Sequence, residues 1–235
     1  MNDNHSNCLL TIIRWETEEW TIRLSSDIKR VHKPSKTPLR ILDLCTGSGC
    51  IALALAHRLP PNSAQILAAD KSVDAILLAR RNKHFNKTRL RNQVRFFQAN
   101  VMRESFITRV QQLCRLMSGD PVDTGHVDII VSNPPYVDRD VYTTLDPDVR
   151  LWEDRCALVV DSGDCDLFYH KIGQLANAIL RPSWIPHAGI PNLNMEIGDD
   201  RQGQRVKRWM QQNLKVDVVK DMSAKGRLIT ITSVI

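Results

Sequence analysis

The spacing of hydrophobic positions changes along the chain, and the changes predict an alternation of strands and helices. Over the first 38 residues apolar positions are sparse. Thr17, followed by Glu18 and Glu19, predicts a capped helix running to about Leu24. Lys33–Pro38 reads as a loop. From Leu39 the pattern tightens. Short apolar runs at Arg40–Leu44, Gln65–Ala69, Val94–Gln98 and Val127–Ser132 predict four buried strands. Helices are predicted between them: Ile51–Leu59, Ser72 or Asp74 to about Asn86, and Thr108–Met117. Val137–Asp164 reads as a long polar loop, and Pro182–Pro191 as a turn-rich connection. Helices are expected over Cys165–Leu180 and Gln202–Leu214, and strands over Asn192–Ile197, Val216–Lys220 and Leu228–Ser233. The alternation predicts an α/β fold with a doubly wound, mostly parallel, seven-stranded sheet. Ser223-Ala224-Lys225-Gly226 joins the last two strands, which read as an antiparallel hairpin.

The fourth strand ends abruptly in Asn133-Pro134-Pro135-Tyr136. Neither proline can donate a backbone hydrogen bond, so the strand must stop there. Asn133 precedes a proline and is biased toward an extended conformation. The result is a stiff, acceptor-rich corner at the carboxyl end of a strand, the edge where open α/β sheets bind ligands. The Asn133 side-chain oxygen and the Pro134 carbonyl can together accept both hydrogens of a planar amino group, with Tyr136 lying against it. An amide or exocyclic amine held in this way is positioned as a nucleophile. The same tetrapeptide also makes an ordinary two-proline turn.

The first strand leads into a second signal, Asp43-Leu44-Cys45-Thr46-Gly47-Ser48-Gly49. Its glycines allow a ligand close to the backbone. The spacing is not the pyrophosphate fingerprint, because position 52 is alanine, and no Lys-Ser/Thr phosphate loop is present. Asp70 ends the second strand, where a carboxylate can accept from both ribose hydroxyls. A ribose-binding acid without a phosphate cradle suits S-adenosyl-L-methionine, although the glycine loop alone also fits other nucleotide-binding α/β domains.

Composition narrows the class without deciding it. The 235 residues suit one α/β domain with a small appendage, and no apolar run reaches membrane-spanning length. The net charge of +6 suggests an acidic partner or environment. The six cysteines form no CxxC pair, so reduced thiols and no metal site are expected. The amino terminus shows neither a secretory signal nor an Arg-rich transit peptide.

Taken together, the glycine loop, Asp70 and Asn133–Tyr136 resemble class I S-adenosylmethionine-dependent amino-methyltransferases. Arg14-Trp15-Glu16-Thr17-Glu18 is similar to the Arg-x-Glu-Thr-Glu element of the HemK family, the peptide chain release factor glutamine methyltransferases. Val149-Arg150-Leu151-Trp152-Glu153, Ala157-Leu158 and Met195-Glu196-Ile197-Gly198 resemble further blocks of that family, and Trp15 with Glu19-Trp20 resembles its fungal mitochondrial branch. The resemblance covers about residues 10–235.

It implies a soluble monomer, of mitochondrial or alternatively cytoplasmic location, that methylates the glutamine of a release factor's Gly-Gly-Gln loop. Asp43, Cys45, Thr46, Gly47, Ser48 and Gly49 would border the methionine part of the cofactor. Asp70 would take the ribose, and Asn100 and Val101 would flank the adenine. Asn133, Pro134, Pro135 and Tyr136 would hold the glutamine amide and carry catalysis, with Asn133 also near the cofactor and Glu16 and Glu18 on the substrate side. Cys45 stands where the family usually has glycine, Asn100 where it often has aspartate, and Val101 where some members have an aromatic residue. Residues 39–235 would be the catalytic domain. Residues 1–38 would be a remnant and linker, because only thirteen residues precede Arg14 and the family's helical docking domain is expected to be missing.

Two other classes remain open on the sequence. Asn-Pro-Pro-Tyr serves an adenine amine equally well, presented by base flipping in DNA or RNA. Arg80, Arg81, Lys83, Lys87, Arg89, Arg91 and Arg95 form a basic run that could make a weak RNA contact. The bland alternative for that run is a solvated helix face. A truncated, cofactor-binding remnant without turnover is the non-enzymatic reading.

Overall fold

Strands buried on both faces make the sheet the centre of this molecule. The computed structural model describes residues 14–31, 37–119, 122–152, 154–160, 164–181, 190–210 and 214–233. In chain order the elements are α1 Trp15–Val31, β1 Leu39–Leu44, α2 Cys50–Arg58, β2 Ala64–Asp70, α3 Val73–Phe85, β3 Gln93–Gln98, α4 Ser105–Ser118 and β4 Ile129–Ser132. There follow α5 Arg139–Tyr142, α6 Pro147–Trp152, α7 Arg155–Leu158, α8 Leu167–Ile179, β5 Leu193–Glu196, α9 Asp200–Met210, β6 Leu214–Lys220 and β7 Gly226–Ser233.

Side chains alternate across a strand, so an apolar run feeds two cores at once. Leu39 and Ile41 of β1 face one side with Ile66 and Ala68 of β2 and Ile129 and Val131 of β4, under Trp20, Leu24 and Ile28 of α1 and the apolar faces of α2 and α3. Leu42 and Leu44 face the other side with Leu67, Ala69 and Ile130, covered by α4, α8 and α9. The seven strands run in the order β3-β2-β1-β4-β5-β7-β6. β1 pairs in parallel with both β2 and β4, and β7 is inserted antiparallel between β5 and β6. Chain order reverses between β1 and β4. Loops leaving their carboxyl ends therefore diverge to opposite sides and open a crevice. Leu44 and Ser132 are register partners at that end, and Ser132 Oγ donates to the Leu44 carbonyl at 2.9 Å.

Three expectations change. The amino-terminal helix begins at Trp15, not at a Thr17 cap, and runs to Val31, because Trp20, Leu24 and Ile28 make a buried stripe. Val137–Asp164 is not simply a polar loop: it holds α5, α6 and α7. Val137, Leu158 and Val159 form a small core of their own there, with Tyr136, Tyr142, Leu145 and Val149 packed against it. The fourth strand starts at Ile129, and Val127 instead makes an isolated bridge to Leu180. The remaining strands and helices lie within a few residues of their expected bounds. The expected Pro182–Pro191 connection falls mostly outside the described residues.

Candidate active site

The crevice at the reversal point is a cavity of about 900 Å³. Its floor is the turn after β1, and one wall is the Asn133–Val137 segment after β4. α5, α6 and α7 supply Tyr142, Arg150, Arg155 and Leu158 to a further wall.

The turn after β1 alternates left-handed residues: Cys45 at φ 57°, Gly47 at φ 53° and Gly49 at φ 81°. A side chain with Cβ is strained in that region, which explains why glycine suits position 45 better than the cysteine found here. The two glycines do different work. A Cβ on Gly47 would meet nothing within 4 Å, so the open space beside it belongs to the cavity. A Cβ on Gly49 would lie 2.7 Å from the Phe96 ring and 3.0 Å from Ala79, so Gly49 is there to seat α2 against β3 and α3.

Asp70 is held from both sides. Its Oδ2 accepts from the Gly47 amide and its Oδ1 from the Ser72 amide, each at 2.9 Å. Each oxygen retains a lone pair at the cavity wall, the arrangement a vicinal diol requires. Asp43 is different. It is fully buried beneath the turn and lines no part of the cavity. Thr46 donates to its Oδ2 at 2.6 Å, while its Oδ1 has no hydrogen-bond partner. Burial pushes its carboxyl up to about 7, against the opposing hydrogen bond from Thr46.

Asn100 lines the cavity, and its Oδ1 already accepts from the Met102 amide at 2.9 Å. An adenine amine would share that oxygen's second lone pair. Val101 and Phe106 add apolar surface. The pinned diol acceptor, the bare Gly47 backbone and the apolar far end fit a nucleoside thioether, and the volume leaves room for a substrate side chain as well.

On the opposite wall, Asn133, Pro134, Pro135 and Tyr136 all border the cavity. Asn133 Nδ2 donates to Thr17 Oγ1 at 3.3 Å, and Thr17 donates in turn to Glu196 Oε2 at 2.6 Å. Trp20 Nε1 donates to the same carboxylate oxygen at 2.9 Å. The Tyr136 hydroxyl accepts from Arg14 at 3.1 Å and lies 3.4 Å from Glu196 Oε1, to which it donates. Gly198 lets the Tyr136 ring pack closely, since a Cβ there would lie 3.0 Å from it. Glu196 is only 1% exposed, and its burial raises its carboxyl above the usual range.

The structure thus gathers Cys45, Thr46, Gly47, Ser48, Asp70, Asn100, Val101 and Asn133–Tyr136 around one cavity, and leaves Asp43 and Gly49 behind it. In the amino-terminal element, Arg14 and Thr17 line the cavity, whereas Glu18 is exposed and Glu16 pairs with Arg227 at 3.5 Å. Sequence reasoning assigned Glu196 no role. The available signal was an acid inside the apolar stretch Leu193–Ile197, a placement that demands a buried partner. In the basic run, Arg80 and Lys83 donate to the Phe96 and Val94 carbonyls of β3. Among the described residues no group of three or more His, Cys, Asp or Glu is placed to hold a metal ion.

Known proteins match this chain at several levels. Residues 28–118 match the methyltransferase small domain. The probable MRF1 mitochondrial N(5)-glutamine methyltransferase mtq1 of Schizosaccharomyces pombe is 32% identical over 94% of this chain and 67% of its own length. A release factor glutamine methyltransferase of Bacteroides thetaiotaomicron is 35% identical over 85% of this chain and 62% of its own. The chain therefore spans about two thirds of the length of these relatives. In fold, it resembles the N-terminal domain of human METTL16, solved with SAH, at a TM-score of 0.55 and 12% identity, over 95% of this chain and 72% of that one. The seven-stranded sheet with its antiparallel β6–β7 pair is the class I methyltransferase fold.

Two measurements check this geometry. In chemical denaturation, Gly49→Ala will cost about 3 kcal/mol, combining left-handed strain with the clash against Phe96, whereas Gly47→Ala will cost only about 1 kcal/mol. Because the Asp43 carboxyl is higher in the folded than in the unfolded chain, its charging opposes folding. Stability will fall as pH rises from about 4 to about 7, by a few kcal/mol, and level off above. In Asp43→Asn that part of the slope will be gone.

Proposed function

Since the chain belongs to the release factor glutamine methyltransferase family, we propose that it methylates the side-chain amide nitrogen of a glutamine, using S-adenosyl-L-methionine. The substrate is the Gly-Gly-Gln loop of a peptide chain release factor, and by the name of the fission yeast relative a mitochondrial one. Residues 39–235 form the catalytic unit, and α1 completes its wall. One observation carries the reading. Asn133, with its Nδ2 bonded to Thr17 Oγ1, lines the cavity beside Pro134, which leaves its Oδ1 and the Pro134 carbonyl as a pair of acceptors.

An amide nitrogen is a poor nucleophile because its lone pair is delocalised into the carbonyl. When bound, the cofactor supplies a methyl group activated by a positively charged sulfur. What the protein must add is alignment. Asn133 Oδ1 and the Pro134 carbonyl accept the two N–H bonds of the glutamine amide and direct its lone pair toward the methyl carbon. Fixed positioning of this kind is worth several kcal/mol, and fixed acceptors for the developing positive charge add to it. Asp70 holds the ribose end, and Val101 and Phe106 exclude water from the adenine end. After transfer the nitrogen is cationic and its proton passes to water, so no His or Cys base is required.

The experiment is mass spectrometry of the Gly-Gly-Gln peptide of a release factor after incubation with protein and labelled cofactor, with duplex DNA and ribosomal RNA in parallel. The expected result is one methyl group on the glutamine. Label in nucleic acid instead would assign the site to an adenine amine. Asn133→Ala will lower turnover by about 100-fold or more, while calorimetry shows cofactor binding largely retained.

A further inference from the structure

Asn133 can help only if its oxygen, and not its nitrogen, faces the cavity. The two ends of a carboxamide differ little in size and shape, so packing alone does not choose between them. The choice must come from hydrogen bonding.

We propose that Thr17 and Glu196 are positioning residues that set the orientation of the Asn133 amide by fixing the direction of a proton chain. A threonine hydroxyl has a single proton to give. At 2.6 Å the Thr17 hydroxyl gives it to Glu196 Oε2. Trp20 Nε1, which can only donate, gives a second hydrogen to that same oxygen at 2.9 Å. With its proton committed, Thr17 Oγ1 can only accept from Asn133. The group 3.3 Å away must therefore be the Nδ2 amine, and Oδ1 is turned to the cavity. The reverse orientation would set two oxygens face to face with no proton between them.

The same carboxylate steadies the other end of the motif. Glu196 Oε1 accepts a hydrogen bond from the Tyr136 hydroxyl, leaving the lone pairs of the hydroxyl oxygen to Arg14. One buried acid on β5 thus sets the donor and acceptor sense of both Asn133 and Tyr136, and Thr17 of α1 and Arg14 just before that helix carry its effect. This gives the amino-terminal element a role in the chemistry itself: the threonine between its two glutamates sits behind the acceptor. The inference rests on the amide-methylation reading for its kinetic consequence, but the orientation it asserts is a property of the protein alone.

The test compares the parent with Thr17→Val, which keeps the shape and removes the proton, and with Thr17→Ser, which restores the hydroxyl. With an intact release factor as substrate, Thr17→Val will lower kcat by about 100-fold while leaving the KM for the cofactor unchanged, and Thr17→Ser will recover most of the loss. In parallel, the Asn133 side-chain amide is observed by ¹⁵N–¹H correlation, assigned by its absence from Asn133→Asp. In the parent and in Thr17→Ser, one of its protons will exchange slowly, and in Thr17→Val that protection will vanish. Parental kcat in Thr17→Val overturns the inference. So does an unprotected Asn133 amide in the parent, a measurement that needs no variant to fold. If the parent leaves the release factor unmethylated, the functional reading fails, and the amide resonance still decides the orientation.

Discussion

A single buried carboxylate holds the working end of this molecule together. Glu196 sits on β5 with almost no exposure and takes hydrogen bonds from Thr17, Trp20 and Tyr136. Burying a carboxylate is expensive unless its oxygens are satisfied. Here the satisfaction comes from three neutral donors on two separated segments. The cost of burial is therefore what ties α1, near the amino terminus, to a strand some 180 positions later. Gly198, two residues on, admits the Tyr136 ring at close range. The Met195–Gly198 block reads as one device for presenting the Asn133–Tyr136 corner.

The sheet supplies the stage for that device. β1 and β4 are neighbours, and the loops from their carboxyl ends carry the two halves of the site. Ser132 bonds the end of one strand to the end of the other, tying the turn after β1 to the Asn133 corner. Beneath the turn, Asp43 packs without reaching the ligand space, and its hydrogen bond from Thr46 shapes the backbone that does. Asp70 comes from β2 and is locked by the amides of Gly47 and Ser72. The turn after β1, Asp70 and the Asn133 corner are thus each held by a hydrogen bond with a neighbouring segment.

Much of this was legible in the sequence because it rests on local rules. Two prolines must end a strand, β-branched runs make buried strands, and an acid at a strand end near a glycine turn has few other uses. What was hidden depends on distance. Thr17 looks like a helix cap when only its neighbours are seen, yet it lies within α1 because its hydroxyl is wanted by Glu196. The Val137–Asp164 stretch looks polar because its few apolar residues pair with one another across short helices rather than with a periodic face. Gly49 looks like part of a ligand loop, but only the three-dimensional structure reveals the Phe96 ring above it. Glu196 could be read as an acid in an apolar strand, while its donors lay beyond any local window.

The edge of the sheet at β3 carries a consequence of another kind. An outermost strand offers bare carbonyls, a template on which a second chain can add itself and begin a polymer. Here the guanidinium of Arg80 and the ammonium of Lys83 reach across from α3 and occupy the carbonyls of Phe96 and Val94. A strand approaching along that rim would have to displace two cations from their oxygens. Two of the residues that read, by charge alone, as a surface for binding something are in this fold engaged with the strand beside them.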